Sequence, residues 1–109
     1  MMTTEEVNEQ YKPIDQLIDS IPESSATASN GEEYARADFS IKAGLMMVVH
    51  HCKNMKFRGV NFPAPFTKEK LVELVNPPYT PKKLNDVHDL VMEYRRLDDE
   101  SLQEGGGVA

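Results

Sequence analysis

Apolar positions recur along the first third of the chain at alternating steps of four and three: Val7, Tyr11, Ile14, Ile18 and Ile21, with Leu17 widening the stripe. That is the period of one face of an α-helix. Thr3 with Glu6 supplies a capping box at its start, the Thr hydroxyl and the Glu carboxylate each taking an otherwise orphaned amide. Pro13 interrupts the pattern. In a helix interior it removes a donor and crowds the preceding turn at a cost of ~3 kcal/mol. A short first turn is therefore expected, with a second helix starting near Pro13.

Residues 22–31, Pro-Glu-Ser-Ser-Ala-Thr-Ala-Ser-Asn-Gly, hold no large apolar side chain and read as a mobile loop. Asn30 and Glu33 then form another capping box, ahead of the longest patterned stretch, Glu32 to Asn54. Two periods overlap there. Phe39, Ile41, Ala43, Leu45 and Met47 alternate as in a strand; Tyr34, Ala37, Ile41, Leu45, Val48 and Cys52 follow a helix. The helix is preferred, because the stretch is too long for one strand. Gly44 lowers that helix by roughly 1 kcal/mol relative to Ala, which close approach of a second helix would justify.

Lys56 to Phe66 carries Phe57, Arg58-Gly59, Phe62, Pro63 and Pro65, a pattern that excludes a central strand and predicts an ordered loop laying rings over the core. The chain then repeats itself. Pro65-Phe66-Thr67-Lys68-Glu69-Lys70-Leu71 is echoed by Pro78-Tyr79-Thr80-Pro81-Lys82-Lys83-Leu84. Each copy is a helix start: Thr67 or Thr80 as N-cap, and an aromatic residue before the cap able to staple onto Leu71 or Leu84. Pro81 at the first helical position strengthens the second copy. Helices over 68–76 and 81–98 follow, forming a C-terminal helical hairpin, with a flexible tail at 105–109.

The expected fold is all-α: a small single-domain bundle of about four helices over residues 1–104. Its core is expected from Ile14, Leu17, Ile18, Ile41, Leu45, Val48, Leu71, Leu74, Leu84, Val87 and Val91. A length of 109 residues fits one domain. The longest apolar run, Ala43 to Val49, is far short of the roughly 20 residues that span a bilayer. No positively charged start followed by an apolar segment is present, so the expected compartment is cytoplasmic. A single cysteine excludes an internal disulfide.

Net charge of −6 argues against general attraction to nucleic acid or anionic membrane, but the charge is unevenly spread. Residues 1–52 sum to −6, residues 53–97 to +4 and residues 98–109 to −4. The basic middle allows a helix-turn-helix reading of 67–97, with Lys82 and Lys83 opening the recognition helix and Lys68 and Lys70 adding phosphate contacts. Asp86, Asp89 and Glu93 on the same outward face oppose it.

His50-His51-Cys52 combines two possible metal ligands with a thiol. Consecutive helical side chains point about 100° apart and do not converge on one ion, so Cys52 reads as a small core residue with the histidines near a helix end. No catalytic, metal or cofactor site is assigned, and no enzyme is indicated. Leu17-Ile18, Pro22-Glu23-Ser24 and then Ala37, Ile41, Gly44, Leu45 and Met46 resemble the helix hairpin of phage proteins that sequester cyclic nucleotides. That resemblance covers about a third of the chain, with an insertion at 25–33, and implies nucleotide binding without naming site residues.

The leading expectation is a small acidic domain that binds another protein, or itself as a homo-oligomer. Met46, Met47, Phe57, Phe62 and Phe66 would form its apolar contact surface. DNA binding and nucleotide sequestration are the alternatives.

Overall fold

Thr3 opens the first helix as its sequence requires: the Glu6 amide donates to Thr3 Oγ1 at 3.2 Å and the Thr3 amide to Glu6 Oε1 at 3.3 Å. The computed structural model describes residues 3–22, 25–27, 33–35 and 37–106. Its helices are α1 (Thr4–Asp19), α2 (Ala37–Phe57), α3 (Lys68–Val75) and α4 (Pro81–Gly106), and strands β1 (Ser25–Thr27) and β2 (Glu33–Ala35) pair antiparallel between α1 and α2. The domain is all-α apart from that ladder.

Several boundaries differ from expectation, among them the end of α2, which runs to Phe57, three residues past Asn54. α1 does not break at Pro13; it runs through it. The ring is exposed, and so is Glu9, whose carbonyl loses its donor there, so water can satisfy the defect. Val7 and Tyr11 before Pro13 and Ile18 after it are buried in one core, which holds the two halves in line. α2 starts at Ala37, five residues later than Glu32, because residues 33–35 pair with 25–27. The same pairing replaces part of the loop expected at 22–31; Asn30 and its proposed cap lie outside the described residues. α4 continues to Gly106, past the end expected at Asp98 and into the expected tail. Asp98 and Ser101 are buried there and bonded to Arg58, which anchors the extra turns.

The repeated capping phrase performs as read. The Lys70 amide donates to Thr67 Oγ1 at 3.1 Å, and the Lys83 amide to Thr80 Oγ1 at 3.2 Å. Phe66, Tyr79 and Leu84 pack against the core, and Leu71 is buried in it. The end of α2 is equally local. Gly59 adopts φ 70°, its amide donates to the Lys56 carbonyl, and the Val60 amide reaches back to the Met55 carbonyl, both at 3.0 Å. This is a Schellman stop, in which glycine takes the left-handed position without a Cβ penalty.

α2 lies at the centre. α1 runs antiparallel to it, as Lys53 Nζ bonds Asp15 Oδ2 at 2.9 Å while Lys42 Nζ reaches the Asp19 carbonyl at 3.5 Å. α4 runs parallel to it: Gly44 faces Val87, His51 bonds Asp98, and Arg58 bonds Ser101. Two neighbouring parallel helices need a return connection along their length. Residues 58–80 supply it, and this is the work of the Pro/aromatic loop and α3.

Phe62 stands edge-on to Tyr94 at 6.3 Å, Tyr94 Oη donates to the Pro63 carbonyl at 2.8 Å, and Lys56 Nζ lies 5.4 Å over the Phe62 ring. α3 gives Leu71, Leu74 and Val75 to the core. The turn into α4 is held by Tyr79 Oη on the Val75 carbonyl and Lys83 Nζ on the Asn76 carbonyl.

The core contains Ile18, Ile41, Leu45, Val48, Leu71, Leu74 and Val87 as expected, and also Val7, Tyr11, Ile21, Val49, Cys52, Met55, Val75 and Tyr94. Ile14, Leu17, Leu84 and Val91 sit at its edge, half-buried.

Candidate interaction surface

Gly44 is what brings α2 and α4 together. A Cβ there would lie under 3.0 Å from Val87 Cγ1, a separation that real Cβ atoms essentially never show. Beside this contact the small residues Ser40, Ala43 and Gly44 form the floor of a groove of about 330 Å³. Phe39 and Met47 wall it on α2, and Leu84, Val87, His88 and Val91 on α4. Among the described residues His88 is its one titratable lining residue, and no carboxylate lines it.

The five apolar residues expected to form one contact surface do not come together. Met46 and Met47 keep 52% and 45% of their surface exposed, an unusual exposure for neighbouring large apolar side chains, and Met47 lines the groove. Phe57, Phe62 and Phe66 are half-buried and pack on the core. Phe62 and Phe66 belong to a different depression of about 260 Å³, with Tyr11, Ile14 and Lys56 among its other lining residues. Met47 thus lies in the largely apolar α2/α4 groove and Phe62 and Phe66 in the second depression, while Met46 and Phe57 line neither. Phe39, 40% exposed, extends the groove and was not among the expected contact residues. The signal available in the sequence was Phe39, Ala43 and Met47 at steps of four, shadowed by the strand-like alternation in the same stretch.

The expected phosphate-binding lysines are dispersed in role. Lys70 Nζ pairs with Asp86 at 3.3 Å and Lys83 Nζ donates to the Asn76 carbonyl at 2.8 Å. Lys68 and Lys82 are exposed. Asp86, Asp89 and Glu93 share the shallow surface on which Lys70 and Lys82 lie.

At the other end of the α2/α4 seam lies a polar cluster. His51 Nδ1 is 2.7 Å from Asp98 Oδ2, Asn54 Nδ2 donates to the same oxygen at 3.3 Å, and Arg58 forks onto Asp98 Oδ1 and, at 2.6 Å, Ser101 Oγ. Burial alone would raise the Asp98 pKa. The hydrogen bonds from His51, Arg58 and Asn54, with the Arg58 charge, overcome it and hold the carboxyl below its ordinary value. Arg58 Nε is the one buried side-chain polar atom among the described residues without a partner. With nearly every polar group satisfied internally, the cluster fixes the register of α2 on α4. Nothing in the sequence marked Asp98 for this, since His51 lies 47 residues away.

His50, His51 and Cys52 diverge as helical geometry requires. His51 turns to Asp98, His50 is exposed, and Cys52 is buried beside Tyr11. Burial pushes the Cys52 thiol up to about 11, which keeps it protonated and unreactive at neutral pH. Among the described residues no group of three or more His, Cys, Asp or Glu side chains is placed to hold a metal ion. No helix among them is long and apolar enough to cross a membrane.

Neither a protein-family model, nor a curated protein, nor a solved structure matches this chain.

Proposed function

We propose that this is a small non-enzymatic binding domain whose α2/α4 groove takes one amphipathic helix of a protein partner. The observation that carries the proposal is the groove itself: a small-residue floor between apolar walls, with Met47 and Phe39 exposed at its rim. A helix laid between two helices presents anchors at i, i+3 or i+4 and i+7, and large side chains at those positions would fill the space above Ala43 and Gly44. Methionine suits the walls, because its flexible thioether side chain repacks around different anchors. Charge narrows the partner. The chain is acidic overall, yet among the described residues no carboxylate lines the groove. A helix with acidic flanks therefore meets no carboxylate inside the groove and finds His88 at its edge.

The test is selection from displayed amphipathic helical peptides, followed by NMR shift mapping of a selected peptide on the full chain. Shifts centred on Phe39, Ala43, Met47 and Leu84 are expected. Met47→Asp should weaken binding about tenfold or more, whereas Lys68→Ala with Lys82→Ala should leave it unchanged. Shifts elsewhere, or indifference to Met47→Asp, would overturn the groove. Duplex DNA bound at physiological salt and lost in the double lysine variant would favour the DNA-binding alternative, and nucleotide-induced shifts would favour the sequestering one.

A further inference from the structure

The exposed side of α4 carries a second pattern, C-terminal to the groove residues. Met92, Arg95, Asp99 and Leu102 follow one another at steps of three, four and three. At about 100° per residue these four lie within roughly 80° of one another on the helix. All four are exposed, and Met92 and Leu102 keep 54% and 51% of their surface, the most of any large apolar side chains described except Met46. Arg95 and Asp99 make no ion pair among the described residues, while Arg96 beside them pairs with Glu100 at 2.8 Å.

The pattern is symmetric about position 97: Met92 and Leu102 are equally far from it, and so are Arg95 and Asp99. The symmetry inverts charge. A second α4 running antiparallel therefore sets Met92 against Leu102 of the other copy and Arg95 against its Asp99, and the same two contacts recur on the other side of the twofold axis. A parallel partner would set Arg95 against Arg95.

We infer that two copies of this chain associate through antiparallel packing of the outward sides of α4, with reciprocal Arg95–Asp99 pairs between two Met92–Leu102 contacts. A twofold interface must be complementary to itself, and this stripe meets that condition in the order of its charges and in the spacing of its apolar residues. The fold leaves room for it, because α4 packs chiefly on α2 and its far side is open. A single helix-on-helix contact is smaller than the roughly 800 Å² per partner of a standard interface, so the dimer should be of micromolar affinity. The groove lies toward the N-terminal ends of α2 and α4, and its lining on α4, Leu84 to Val91, ends one residue short of Met92.

Sedimentation equilibrium of the full chain at low salt, from micromolar to submillimolar concentration, tests this. The wild type should dimerise. Arg95→Asp and Asp99→Arg should each weaken dimerisation about tenfold or more, with helical circular dichroism unchanged. An equimolar mixture of the two variants should recover association as a mixed dimer, because every cross-chain pair is then opposite in sign. Met92→Asp should abolish association, and Met47→Asp should leave it intact, which separates this interface from the groove. A monomeric wild type, a dimer indifferent to both charge reversals, or a mixture that stays monomeric would each overturn the inference.

Discussion

Replacing Gly44 with alanine asks whether the α2/α4 contact is as close as the structure has it. At an open helical position the change would stabilise by roughly 1 kcal/mol through helix propensity. Here the new Cβ would fall under 3.0 Å from Val87 Cγ1 and 3.6 Å from Val91 Cγ2, against the roughly 3.5–4.0 Å of an ordinary carbon contact.

Val87 cannot easily yield. It is β-branched, stiff about χ1 and buried to 1% exposure. Overpacking of this kind costs about 1–3 kcal/mol, so Gly44→Ala should be destabilising by about 0–2 kcal/mol net. Val87→Ala alone removes two buried methyl groups and opens a cavity, for roughly 2–3 kcal/mol. In that background the alanine at 44 enters vacated space, the overlap disappears, and the propensity gain of roughly 1 kcal/mol remains.

Gly44→Ala should therefore change sign between the two backgrounds, with a coupling energy of about 1–3 kcal/mol. Urea denaturation followed by far-UV circular dichroism, on the four members of the cycle, measures it. If Gly44→Ala stabilises the wild type as much as it stabilises the Val87→Ala variant, α2 and α4 are not in close contact there and the floor of the groove is misplaced.

Two further outcomes are expected. Asp98→Asn leaves Arg58 without its carboxylate in a largely buried site and should cost about 2–4 kcal/mol. Because the folded Asp98 pKa lies below its ordinary 3.8, its contribution is complete above that value and is lost as pH falls through the folded one. Acid titration of stability should accordingly show a component below about pH 4 that the Asn variant lacks, and identical acid profiles would remove the cluster from the account. Thr67→Ala and Thr80→Ala should each cost about 1 kcal/mol in thermal or urea denaturation through a lost cap; an unchanged midpoint in both would mean the caps do not hold these helix starts.

How much was legible follows from how far each interaction reaches along the chain. The starts of α1, α3 and α4 depend on a hydroxyl and an amide three residues apart, so Thr3, Thr67 and Thr80 could be read directly. The all-α class and most of the buried stripe were readable because helical period is a property of one segment. Gly44 even announced a close neighbour, although not which one.

What lies opposite each segment was decided only by the tertiary structure. The cost of Pro13 depends on whether its face is wet, and the start of α2 depends on two strands finding each other. Which apolar residues stay outside depends on where the return connection runs. Phe62 and Phe66 are spent pinning that connection, while Met46, Met47 and Met92 remain exposed because no described element covers them. Likewise, the stripe of Met92, Arg95, Asp99 and Leu102 is written in the sequence, but only the packing of α4 on α2 leaves it facing outward. A local pattern fixes which side chains share a face; burial of that face is a contest among all faces for a limited core, and no single segment settles it.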